Sequence, residues 1–196
     1  MKFEKVKEYV IGLLQKDLNK KLHYHCLWHT LNVMETVELY CNIGKFSDHD
    51  TIVVKTAALF HDTGFLYAYK GHEHESIKLA RETLPKYGYI EENIDIICKA
   101  IMATEIPQEP LSFCSEILCD ADLDYFGRDD FYMIAHSLKM EWADVLDRKL
   151  SLKEWYVQQL NFLKIHKYHT KIAGDLRNGK KSLHITQMEE LLNITK

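Results

Sequence analysis

Leu59-Phe60-His61-Asp62-Thr63-Gly64 sets a His and an Asp side by side where an apolar helical run stops. Val53, Val54, Ala57, Ala58 and His61 recur at helical spacing, so His61 falls in line with residues expected to be buried. Asp62 follows at the helix mouth and Gly64 ends it. A buried imidazole beside a carboxylate needs a partner, because burying polar groups without one is unfavourable. A metal ion satisfies both. A capped helix end with a solvated Asp would carry the same dipeptide, so the reading depends on what the rest of the chain brings to this point.

Working outward, the chain reads as helices. Ser47 offers an N-cap, and Asp50 favours the start of a helix running to His61. Before it, Val33, Val37 and Tyr40 share a face with His29, and Gly44 stops that segment. Residues 29 to 41 climb about twelve steps and residues 50 to 61 return about eleven; at about 1.5 Å per step the paths nearly cancel. An antiparallel hairpin then returns His29 to the level of His61 and Asp62. Residues 3–20 form an amphipathic helix, and residues 22–28 break the pattern while concentrating His23, Tyr24, His25 and Cys26. Further helices are expected over residues 72–87, ended or kinked by Pro85 and stopped by Gly88, and over residues 91–104, 114–126 and about 130–146. Ser151-Leu152-Lys153-Glu154 and Thr186-Gln187-Met188-Glu189 both read as capping boxes, the second opening the last helix. No alternating strand pattern and no repeat is present. The expectation is one all-α domain over residues 1–196, a compact bundle of eight to ten helices with its motif core at about 24–130.

Composition narrows the classes. The 196 residues are 46% hydrophobic and 28% charged, ordinary for a globular chain with a real core. The net charge of −4 gives no general attraction to polymeric nucleic acid or to an anionic membrane. The five Cys are scattered without a Cys-x-x-Cys and read as reduced thiols of a cytoplasmic protein. No leader and no membrane-spanning run is apparent. A homo-oligomer stays open.

A fourth donor candidate is Asp122, which interrupts the apolar stripe of Leu118 and Tyr125; Asp120 and Asp124 lie off that face and read as solvated or capping. Two imidazoles and two carboxylates suit a divalent ion such as Mn, Fe, Co, Ni or Zn, with Mg at a second, more hydrated position. Four protein ligands leave open positions on an octahedral ion, the arrangement of a catalytic site.

Tyr24-His25-x-x-x-His29, His61-Asp62 and Ala121-Asp122-Leu123 together resemble the HD superfamily of metal-dependent phosphohydrolases. The resemblance spans residues 24–130 and implies an all-helical fold. It implies that His29, His61, Asp62 and Asp122 are the metal ligands. It also implies that His25 matches the general acid of the phosphodiesterase branch, from which the chain departs by carrying Cys26 where animal enzymes have Asn. His72-Glu73-x-x-Ser76 is similar to a motif of HD nucleotide triphosphohydrolases whose His lies near the phosphates; His74 is off that register. The expected chemistry is hydrolysis of a small-molecule phosphate ester, a nucleotide, by a water that the ion acidifies for attack on phosphorus. His25, Asp62 and His72 are the residues expected to serve catalysis. A structural role for His25 and a solvated helix start for His72 are the plain alternatives. At the level of the whole chain the rivals are a catalytically silent binding module and a di-iron oxygenase, the latter needing two more His ligands. The Lys-, Arg- and His-rich segment 164–181 reads as a solvated helix face. Thr104 and Gln108 read as plain loop residues.

Overall fold

The computed structural model describes residues 1–194, and within them the chain is all-α, with nine α-helices and three short 3-10 turns. Contacts divide the chain into two compact units, one of residues 1–20 and 25–122, the other of residues 21–24 with the chain from Leu123 onward.

The first unit holds α1 (Phe3–Asp17), α2 (Leu27–Gly44), α3 (Asp48–Phe60), α4 (His72–Thr83), α5 (Glu91–Met102) and α6 (Phe113–Asp122). α2 ends where Lys45 turns left-handed at φ 55°. α3 starts at Ser47, whose Oγ accepts the Asp50 N–H, and three residues of turn separate the two helices. A connection this short forces antiparallel neighbours. Val37, Tyr40, Val54, Ala57, Ala58 and Phe60 are fully buried between them and their neighbours, with Ile94, Ile97, Ile101, Ile117 and Leu118 from α5 and α6. Pro85 closes α4 into a 3-10 turn that Gly88 ends at φ 79°.

The second unit holds α7 (Phe131–Val145), α8 (Leu152–Ile165) and α9 (Lys171–Ile194), packed on Tyr24, Phe126, Phe131, Trp155, Leu163 and Met188. Ser151 and Glu154 form the expected capping box of α8.

Two expectations fail here. Thr186 does not open the last helix: α9 begins fifteen residues earlier at Lys171, with the Thr170 Oγ accepting the Ala173 N–H, and Thr186 Oγ1 instead donates to the Ser182 carbonyl one turn back. Asp120 and Asp124 are not solvated but fully buried. The segment 114–126 is an α-helix only to Asp122; the 3-10 turn Asp124–Gly127 that follows directs Asp124 inward, where Arg177 donates to both of its carboxylate oxygens at 2.6 and 3.1 Å. Gly127 is required there, because a Cβ would lie 2.5 Å from the Arg177 carbonyl oxygen. Four lysines of segment 164–181 are also paired: Lys164 with Glu189, Lys171 with Asp175, Lys180 with Asp129, and Lys181 with the ring and carbonyl of His166.

All five cysteines are free thiols, and no described helix is long and apolar enough to cross a membrane.

Candidate metal centre

His29 sits in the first turn of α2, and His61 is the residue on which α3 ends. The hairpin brings their Nε2 atoms to 3.3 Å. Asp122, the last residue of α6, places Oδ1 at 3.0 Å from His29 Nε2 and 3.6 Å from His61 Nε2. These three donor atoms lie within 4.8 Å of one another, the spacing at which one ion can be held. Asp62 lies outside that group of three, although its Oδ2 is 3.4 Å from His29 Nε2 and 3.2 Å from His61 Nε2.

The geometry fits a cation in three ways. His61 Nδ1 lies 2.7 Å from the Ala58 carbonyl oxygen. A carbonyl only accepts, so Nδ1 carries a proton and the neutral ring directs the Nε2 lone pair at the cluster. Asp62 Oδ2 is buried without a hydrogen-bond partner, an unfavourable condition for a carboxylate oxygen that a coordinated cation would relieve. The donor set of two nitrogens and two oxygens suits a divalent ion such as Mn, Fe, Co, Ni or Zn. Without a cation the cluster compensates with protons. Burial alone would depress the His61 imidazole, but the Asp62 and Asp122 carboxylates outweigh it and hold the ring well above its ordinary range. Burial would likewise raise both carboxyls, yet the facing imidazoles hold Asp62 and Asp122 below theirs.

The turn that presents Asp62 is fixed from behind. Gly64 lies so close to the first turn of α4 that a Cβ would sit 1.8 Å from the His72 carbonyl oxygen. Ser76, fully buried on α4, donates to the His61 carbonyl and accepts the Gly64 N–H, both at 2.7 Å. The Ser of His72-Glu73-x-x-Ser76 thus staples α4 to the His-Asp turn.

His72 follows from that docking. Its Nε2 is 3.5 Å from Asp62 Oδ1 and 3.4 Å from Glu73 Oε1. Burial would lower its pKa, but Asp62, Glu73 and the Tyr69 carbonyl raise it overall. His25, half-buried, lies edge-on to His29 at 6.1 Å between ring centroids and 6.1 Å from His72. His74 is exposed, Thr104 bonds back to Ile101, and Gln108 donates to the Cys119 carbonyl, so none of these three adds a donor to the cluster. Sequence reading gave no role to three residues at the site. Glu73 and Ser76 were visible as parts of the quoted motif. Phe65, stacked on both His25 and His72, had no periodic signal that distinguished it from a core residue. A cavity of about 930 Å³ near the start of α6, lined by Ile96, Met102, Ile106, Leu111 and Phe113, contains none of the cluster residues.

A family model, the HD domain, matches residues 27–124, half of the chain. This chain belongs to the HD domain family. Its members are generally metal-dependent hydrolases. No curated protein matches the chain. Among solved structures, a predicted HD superfamily hydrolase from an uncultured Thermotogales bacterium has a TM-score of 0.64 over 96% of this chain and 92% of its own, at 18% identity. At that identity the likeness is one of fold. The matched HD segment contains His29, His61, Asp62 and Asp122, together with the Ser76 staple.

Proposed function

We propose that this HD protein is a metal-dependent phosphohydrolase that cleaves a small phosphate ester, a nucleotide, with His29, His61, Asp62 and Asp122 holding a divalent ion. The observation that carries the reading is the orphaned Asp62 Oδ2 facing two buried imidazole Nε2 atoms, with Asp122 alongside and two further imidazoles, His25 and His72, flanking the cluster. Bound there, the ion supplies Lewis acidity to a phosphoryl oxygen and lowers the pKa of a water.

The chain's own residues divide the remaining tasks. The ion would take the Nε2 lone pairs of His61 and His29, so the proton that the two carboxylates favour on His61 leaves on binding. Asp62 serves two sides, Oδ2 toward the cluster and Oδ1 toward His72. That second contact favours the protonated His72 ring, which suits it to donate to a phosphate oxygen. His25 gives a proton to the departing oxygen as its bond to phosphorus breaks; water supplies the new oxygen on phosphorus. Burial of the ligands keeps bulk water away and strengthens each of these contacts.

The competing oxygenase reading requires two additional His ligands, and of His72 and His74 only His72 approaches Asp62 while His74 is exposed. The deciding experiment is a panel of nucleoside monophosphates, triphosphates and cyclic nucleotides, incubated with metal-stripped protein and added Mn, Co or Mg. Metal-dependent release of phosphate, or ring opening seen by chromatography, is expected. Tight metal binding with no turnover across the panel would reduce the chain to a binding module.

A further inference from the structure

Phe65 occupies a place that the ligand chemistry leaves unexplained. It lies on the 3-10 turn Thr63–Leu66 directly after Asp62, and its N–H donates to the Asp62 carbonyl at 3.1 Å. Its ring is buried and stacks on two imidazoles at once. The His25 centroid is 4.1 Å away at an interplanar angle of 25°, and the His72 centroid 3.9 Å away at 23°. Tyr69 closes the third side edge-on at 5.2 Å. The ring itself cannot drift, because Gly64 before it is pressed against the His72 backbone and tied to Ser76.

These contacts connect three chain segments that share no regular element: the strand-free stretch before α2, the His-Asp turn and the start of α4. A flat aromatic face defines the tilt of a ring lying on it, which a branched aliphatic side chain does not. We propose that Phe65 is a positioning residue, a spacer that sets the separation and tilt of the His25 and His72 imidazoles, and so the placement of the proton donor relative to the phosphate contact. Its consequence for turnover rests on the phosphohydrolase reading; its consequence for anion binding does not require turnover.

The test is a pair of double-mutant cycles on Mn-loaded protein, combining Phe65→Leu with His72→Ala and with His25→Ala. Inorganic phosphate affinity is read by calorimetry, and kcat/KM on the best nucleotide of the panel is read in parallel. Metal content is checked in every variant. Phe65→Leu should weaken phosphate about tenfold, the worth of one charge-assisted hydrogen bond, and do nothing further once His72 is Ala. It should lower kcat/KM about 10²-fold, the effect of a misplacement near 1 Å, and in the His25→Ala background only by the roughly tenfold share that His72 still carries. Phe65→Tyr, which keeps the ring, should restore most of both. Where the Leu variant does not fold, Phe65→Met keeps the volume without the flat face and takes its place. Full phosphate affinity in the Leu variant overturns the proposal. Losses of equal size in the presence and absence of the imidazoles also overturn it, because they assign Phe65 to packing alone. A non-additive phosphate cycle in a protein that hydrolyses no member of the panel removes the hydrolytic reading and leaves the positioning role standing. A wild-type protein that binds no phosphate removes both.

Discussion

Replacing Ser76 with Ala removes one oxygen from a side chain with no exposed surface, yet it severs two hydrogen bonds of 2.7 Å that fix the His61-Asp62-Thr63-Gly64 turn to α4. The Gly64 N–H then loses its acceptor in a buried position, a loss of about 1–3 kcal/mol for an unsatisfied group. The His61 carbonyl loses a donor, adding about 0.5–1.5 kcal/mol for a net hydrogen bond. The expected destabilisation is therefore about 2–4 kcal/mol, large but survivable for a domain whose total stability is about 5–15 kcal/mol. It should appear in urea unfolding of the metal-free protein as a lowered midpoint at unchanged slope. Metal-free protein is the right reference, since a bound ion would add linkage of its own. Ser182→Ala, at an exposed position inside α9, is the control and should change little. The variant should also hold its ion more weakly, because the turn presents Asp62. A destabilisation under about 0.5 kcal/mol would show that the turn does not depend on the staple, and the structural role given to the His-Glu-x-x-Ser segment would fall with it.

Gly64→Ala should be harsher, at least about 3 kcal/mol, because the new Cβ meets backbone at 1.8 Å and α4 must shift as a whole; near-wild-type thermal melting would contradict the docking of α4. Chelation should lower the melting temperature and an added divalent ion restore it, since an ion at 100 times its Kd contributes about 2.7 kcal/mol; an unchanged melt after verified metal removal would separate the four candidate ligands. Burial, with the Lys181 and His169 charges, pushes His166 down to about 3. Its unfolded value is near 6.5, so between these limits the unfolded chain takes up a proton that the folded one refuses. Stability must then fall as pH drops from about 6.5 toward 3, by up to about 1.4 kcal/mol per pH unit from this ring, and urea midpoints of a His166→Gln variant should lack that share of the slope. His25→Ala should slow a nucleotide by about 10²–10⁴ but a nitrophenyl phosphoester far less, since nitrophenolate leaves without a proton. Equal slowing of both, with metal content unchanged, would assign His25 to binding.

The helices were legible wherever a buried stripe ran uninterrupted, as through Val53, Ala57 and His61, and wherever a cap was unambiguous, as at Ser47 and Ser151. The convergence of His29 on His61 followed from counting residues up α2 and down α3, a calculation that a three-residue connection makes safe. Thr186 misled because Thr-x-x-Glu also occurs inside helices, where the hydroxyl bonds the carbonyl one turn back. Gly174 and Gly179 disguised the true start of α9, since glycine in a helix interior argues against helix and tertiary packing overrides it. Asp124 was misjudged for a different reason. Its partner Arg177 is 53 residues away, and no local pattern announces that a carboxylate will be buried against a distant guanidinium. Phe65 and Ser76 act through segments brought together only by the fold.

The boundary between the two units has a bearing on how each molecule is made. Every donor of the cluster, from His29 to Asp122, belongs to the first unit, and Asp122 is its last residue. The residues immediately before His25 belong with the second: Tyr24 N–H donates to the buried Glu141 carboxylate at 2.8 Å, and His23 pairs with Asp144 at 2.8 Å. On the ribosome, therefore, all four proposed ion donors have been synthesised before Glu141 and Asp144, the partners of Tyr24 and His23. If these four residues hold an ion, a nascent chain would carry the means to capture it about twenty residues before the partners of the segment preceding His25 are made.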